Sequence, residues 1–381
     1  MRRIVFLSIF FYLTFSSTQA QTWIDSLDRY GREVYMPAEK YTWDWGQATF
    51  LNSLIHLYET KPTDEKYKYL QYIRTAMDKT YDVANGKHPN AIASGIGMAF
   101  LARVTKEEKY KLKAQAIYQD YLNAPRSKNG GISHRTETVE LWDDTVYMLQ
   151  MFLMEMYRAT GEEKYLAHVY SQIKSHSQSL ANPTTGLWVH ALDDDDQDYD
   201  DGCSVVGWPD KKTRKSSEYW GRANGWVAMT LVDVLSSISP KSNYYEPLKN
   251  EFLAMMHTLP SLQNKQTGHW YQLLLYPQDA KNWEESSCTA MFAYSMAKGI
   301  ELGILKAQEY LPSIDLAYRG LKKHSLVQPK GPYLCPSRVS GGTCVGMKDY
   351  YYGRPIVEGQ GFGIGSFIMF ALEYQKISRQ K

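Results

Sequence analysis

The sequence predicts an all-α protein, an (α/α)6 barrel in which six inner helices are surrounded by six outer ones. Two observations carry that prediction. Six segments at helical spacing are apolar almost all the way round, and they alternate with six segments that are apolar on one face only. The breaks after the apolar segments are short polar turns followed by a tyrosine-bearing helix, as in "LYETKPTDEKYKYL", "LARVTKEEKYKLK", "MYRATGEEKYLAH" and "GIELGILKAQEYL". Each reads as an αα-hairpin punctuated by Thr, Asp or Gly. An open solenoid built from the same hairpins is the alternative architecture.

In chain order, a half-polar helix near 24–36 leads through "YTWDWG" into the first apolar helix, near 45–58. The pairs that follow are 64–84 with 91–103, 107–123 with 144–159, 162–181 with 222–238, and 243–258 with 288–304. The last pair is 307–324 with 361–376, and no linker composition interrupts the series. The connections entering the apolar helices are long and aromatic: "GKHPNAIASG", "GGISHRTETVELWDD", "GLWVHALDDDD…EYWGRANGW", "GHWYQLL…NWEESS" and "YYYGRPIVEGQGFG". In a closed ring all of these emerge at one end, and long loops carrying Trp, His, Asp and Arg around one mouth describe a binding pocket.

The bulk properties narrow the partners. The chain has 381 residues, 44% hydrophobic, with 43 basic and 41 acidic side chains. That balance makes no electrostatic case for nucleic acid. Thirty tyrosines and ten tryptophans suit sugar faces, although packing between helices accounts for most of them. Residues 1–20 read as a signal peptide: Arg2 and Arg3, an apolar "IVFLSIFFYLTF", then "TQA" before Gln21. The expectation is an exported protein, periplasmic or secreted and not membrane-inserted, whose mature chain 21–381 forms one domain. Cys335 and Cys344 flank a Gly-rich turn and are placed to pair in an oxidising compartment; buried free thiols are the other reading. No cysteine pair has zinc-site spacing. The acidic run Asp193 to Asp201 reads as a solvated loop; it holds oxygen ligands for calcium but not the spacing of an EF-hand.

"ELWDDTVYML" places Asp143 and Asp144 at the start of the third apolar helix. One acid there is ordinarily an N-cap or a first-turn charge. Two together let one keep its proton, and a protonated carboxylic acid facing a sugar cleft is a general acid. His134, with Arg135 beside it, follows a turn in the same entry loop, and His190 sits in the next one. "YWGRANGW" joins one cation, Arg222, to Trp220 and Trp226, with glycines that permit close approach. Arginine pairs with carboxylates and tryptophan stacks on sugar rings, so the combination suits a uronic acid.

These segments resemble glycoside hydrolase family 105, the unsaturated rhamnogalacturonyl hydrolases, related to the family 88 unsaturated glucuronyl hydrolases. The likeness runs over nearly the whole mature chain, through "TWDWGQA", "GGISHR", "ELWDDTVYM", "TGLWVH", "YWGRANGWVAMTLVDVL", "TGHWYQ", "EESSCTAMFAYSMAKGI" and "RPIVEGQGFGIGSF". The resemblance implies the (α/α)6 barrel and no metal or organic cofactor. It implies a substrate oligosaccharide, left by a lyase, that ends in a 4,5-unsaturated uronic acid, and hydrolysis by hydration of the C4=C5 vinyl ether. The family pattern of Trp, an apolar residue, then Asp puts Trp142 in the pocket and makes Asp144 the general acid/base. Asp143 then stands in a normally apolar slot as a candidate second carboxylate. His134, His190, Trp220, Arg222 and Trp226 fall on substrate-binding positions, and Asp44 in the first entry loop. Asn90 stands where the family has a second important Asp. An amide carries no charge but still hydrogen-bonds a hydroxyl. That departure keeps open a different exo-acting glycosidase or lyase on the same barrel, or a glycan-binding relative without turnover.

Overall fold

The computed structural model describes residues 23–195, 203, 205, 207–329 and 331–378. The segment read as a signal peptide and residues 196–201 of the acidic run lie outside these.

The apolar segments form an inner ring: α2 (Trp45–Thr60), the pair α4 (Pro89–Ser94) and α5 (Ile96–Thr105), α7 (Thr145–Thr160), α9 (Gly221–Ser237), α11 (Ser286–Glu301) and α14 (Gly361–Ser378). Each packs on the next, and α14 packs back on α2, so the ring closes and the open solenoid is excluded. Closure depends on close approach. A Cβ on Gly361 would lie 2.2 Å from the Gly46 carbonyl oxygen, and one on Gly365 would lie 2.7 Å from that of Thr49. The segment predicted as one helix over 91–103 is interrupted at Gly95, where a Cβ would stand 2.9 Å from the Phe152 ring of α7.

The half-polar segments form the outer ring: α3 (Thr63–Thr80), α6 (Glu108–Asn123), α8 (Glu163–Leu180), α10 (Tyr245–Leu262) and α12 (Ala307–His324), each against the inner helix before it. The sixth outer position belongs to the other end of the chain. A helix α1 over 23–29 continues as a π-helical turn, Tyr30–Tyr35, which packs on α14. The core runs between the rings, where the inner helices bury nearly every side chain and the outer ones only one face.

The turns leaving the inner helices are short, as at 61–62, 106–107 and 161–162. The entry loops hold antiparallel strand pairs that the sequence does not announce: β1 (Glu140–Trp142) with β2 (Ala191–Asp193), and β3 (Trp270–Tyr271) with β4 (Glu284–Glu285). Two more are β5 (Leu326–Val327) with β6 (Cys335–Pro336), and β7 (Val339–Ser340) with β8 (Ile356–Val357). Strands of two or three residues are too short to show a period. A short helix, α13 (Lys348–Tyr352), completes the mouth.

Of the two readings of Cys335 and Cys344, the pairing is not formed, and the buried free thiol holds for Cys335 alone. Cys344 is bonded to Cys203, 141 residues away, and Cys335 is a buried free thiol in β6. Between the two, β6 and β7 carry the chain from the barrel wall to the mouth, so proximity in sequence does not bring them together. Burial beside Tyr30 pushes the Cys335 thiol up to about 11.

Candidate active site

The entry loops enclose a cavity of about 390 Å³ at the N-terminal end of the inner ring. Seven predicted residues line it: Asn90, His134, Trp142, Asp144, Trp220, Arg222 and Trp226. Three do not. Asp44 is the N-cap of α2, exposed beside the lining residue Trp45. Asp143 and His190 are fully buried behind the wall.

Asp144 stands at the N-cap of α7, yet its side chain makes no capping bond. Capping therefore does not account for this carboxyl. Burial raises it to about 7, against the pull of the Arg222 cation. A carboxyl with that value is protonated in about half the molecules at neutral pH, so it can give a proton and take one back. The His134 Nδ1 atom lies 3.8 Å from Asp144 Oδ1 and 2.8 Å from the Thr145 hydroxyl. Burial, followed by the neighbouring His190, holds His134 well below the ordinary histidine range, so it is neutral.

The wall is a chain of stacked planes. His134 lies parallel to Trp142, with ring centres 4.3 Å apart, and the Trp142 indole N–H donates to Glu140 at 2.6 Å. Trp142 meets His190 edge-on, and His190 leans on Trp220. The Arg222 guanidinium is sandwiched between Trp220 and Phe362, 4.5 and 4.6 Å from their ring centres, and Phe362 stacks on Trp45. Trp226 stacks on Tyr147 of α7.

Arg222 is 1% exposed, and its two terminal nitrogens donate to the backbone carbonyls of Ser340 and Gly341, which ties α9 to the end of β7 and the residue after it. Burial lowers it to about 10, opposed by the Glu285 and Asp144 carboxylates, so it remains a cation. Glu285 caps α11 by accepting from the Cys288 N–H at 2.6 Å and also accepts from the Ser340 N–H at 2.9 Å.

Several lining residues were not among those predicted: Trp45, His88, Arg135, Thr136 and Glu137, and, from the far wall, Cys203 with Gly342 to Cys344. His88 and Arg135 lie in entry loops already marked as the mouth, and that membership is the signal that finds them. The "SGGTC" segment reads as a turn, and nothing local in it points to a cavity wall.

The family model for Glycosyl Hydrolase Family 88 matches residues 16–378. The unsaturated rhamnogalacturonyl hydrolase YesR of Bacillus subtilis (strain 168) is 26% identical over 353 residues, which cover 89% of this chain and 92% of that protein. Among solved structures, a family 105 glycoside hydrolase of C. acetobutylicum ATCC 824 superposes with a TM-score of 0.79 at 23% identity, covering 94% of this chain and 99% of its own. The unsaturated glucuronyl hydrolase of Bacillus sp. GL1 superposes with a TM-score of 0.66 at 14% identity, covering 94% and 96%. The closed double ring described above is the fold these structures share with it. With a family model spanning almost its full length, this chain belongs to Glycosyl Hydrolase Family 88.

Proposed function

We propose that this glycoside hydrolase removes a terminal 4,5-unsaturated uronic acid from oligosaccharides generated by a lyase, and that it does so outside the cytoplasm. The observation that carries the reaction is Asp144: a carboxyl near half-protonation, uncommitted to capping, on the wall of an aromatic cavity. In its acid form it gives its proton to C4 of the vinyl ether, and positive charge develops at C5 and the ring oxygen. The resulting carboxylate takes a proton from a water as that water bonds to C5. The hemiketal then opens to a ketone at C5. The hemiacetal left at C1 collapses to an aldehyde and releases the neighbouring sugar, with one water consumed overall. A single carboxyl serves both steps, so the spacing rule for paired glycosidase carboxylates does not apply.

The stacked wall of Trp142, Trp220 and Trp226 supports a sugar ring, and the cations Arg135 and Arg222 favour its carboxylate. Asn90 offers a neutral amide to a hydroxyl. The basic and apolar N-terminal segment and the Cys203–Cys344 disulfide support export.

The test follows the ultraviolet absorbance of the double bond in lyase-generated oligosaccharides. Loss of absorbance with the native enzyme, and a fall of about 10²–10⁴-fold in Asp144→Asn, is the expected result. Cleavage of saturated substrates would favour the other exo-glycosidase. Saturable binding with unchanged absorbance would leave a glycan-binding protein.

A further inference from the structure

Behind Asp144 lies a group of buried polar atoms that the proposed reaction does not use. Among the described residues, Asp143 Oδ1 and Oδ2, Asp144 Oδ1 and His190 Nε2 are all buried and have no hydrogen-bond partner. One nitrogen or carboxylate oxygen from each of the three residues lies within 4.8 Å of the others. Asp143 and His190 are 0% exposed. An unpartnered buried polar group costs about 1–3 kcal/mol, so four of them on three neighbouring residues call for an explanation. The spacing supplies one, because two hydrogen bonds of about 2.8 Å meeting at a water oxygen span about 4.5 Å.

The protons in this group can be assigned from the surrounding bonds. The Gly346 N–H donates to the Tyr351 hydroxyl at 3.3 Å, and that hydroxyl lies 2.6 Å from His190 Nδ1. With Gly346 as its donor, the phenol has its own hydrogen to give to Nδ1. That arrangement puts the ring proton of His190 on Nε2, a buried atom with no other partner. Burial lowers His190 to about 3, so the ring is neutral. An N–H at Nε2 suits a hydrogen-bonded bridge and offers no lone pair to a metal ion.

We propose that Asp143 is a positioning residue, a neutral carboxylic acid that works with His190 through one bridging water to solvate the Asp144 carboxylate from behind. The charged and titratable groups around the Asp143–Asp144 pair are His134 from the same entry loop and His190 just before β2. Tyr351 of α13 faces Asp143, Arg222 in the first turn of α9 acts on Asp144, and Glu218 acts on Tyr351. Burial, reinforced by Asp144, raises Asp143 well above the carboxylate range, in keeping with a group that keeps its proton while Asp144 titrates. A neutral donor that bonds to a carboxylate favours its charged form. Asp143 thus limits how far burial lifts Asp144 and stabilises the carboxylate left after proton transfer.

This inference rests on the reading of Asp144 as the acid/base group, and the experiment separates the two. The alkaline limb of kcat/KM, followed by double-bond absorbance, is recorded for the native enzyme, Asp143→Leu, Asp143→Asn and Asp144→Asn. The limb position does not depend on the fraction of folded enzyme, so partial misfolding of the leucine variant does not obscure it. Asp143→Leu removes the donor and should move the limb upward by about one pH unit. Asp143→Asn keeps a donor and should bring the limb back toward the native position. A downward shift in Asp143→Leu would mean that Asp143 is ionised, and an unmoved limb that it does not act on Asp144; either overturns the inference. Full activity in Asp144→Asn would overturn the underlying reading instead.

Discussion

At the Asp144 carboxyl, two opposing effects meet: burial, which raises its pKa, and the Arg222 cation, which lowers it. Burial wins and leaves the group at about 7, so the acid form is lost as pH rises through that value. With Asp144 as the acid of the first step, kcat/KM should be level at lower pH and fall about tenfold per unit well above 7. A profile without an alkaline limb near neutrality would contradict that assignment. Arg222 has a second duty, since its fork holds two consecutive carbonyls while its plane is sandwiched between two rings. A lysine keeps the charge but cannot reproduce that geometry. Arg222→Lys should therefore lose about 1.5–3 kcal/mol of stability in urea unfolding as well as weakening substrate binding. Residues of this kind were unevenly legible. The start of an apolar helix marks the Asp143–Asp144 pair, and the family register from Trp142 is what singles out Asp144. The backbone partners of Arg222 do not, because carbonyls carry no mark in a sequence.

The inner helices were legible because burial on all sides leaves a continuous apolar record. The outer helices show the one-sided pattern that a ring demands. What escaped was local: the break at Gly95 and the strand pairs of the entry loops, where two or three residues decide the structure. The contact between α2 and α14 gives the clearest test of how the ring is held. Gly365 presses against the backbone of Thr49, so a methyl there has only main chain to displace. Gly365→Ala should cost about 1–3 kcal/mol in thermal or urea unfolding, even though alanine is the better helix former. A neutral or stabilising result would show that the helices can separate at little cost.

The molecule is tied at its mouth by a bond that no local reading predicts. Cys203 and Cys344 come from different entry loops, and both line the cavity. Reduction, or Cys344→Ser, should lower stability by about 2–4 kcal/mol and raise KM more than it lowers kcat, because it loosens a wall and leaves Asp144 in place. A fall in kcat alone would place the bond's influence elsewhere. The pairing was illegible because it depends on where two loops meet after the ring has closed. That closure also bears on how the chain acquires its structure. Its last helix packs against its first elements, and the Leu334 N–H donates to Ser26, 308 residues away. Until the final hairpin is available, the earlier ones form only an open crescent whose apolar edges, on α2 and α11, have nothing to cover them. Such long-range closure is slow and leaves sticky edges exposed while it is pending. Completion of the barrel therefore waits for the C-terminal helix, and a chain truncated before it would be prone to aggregate.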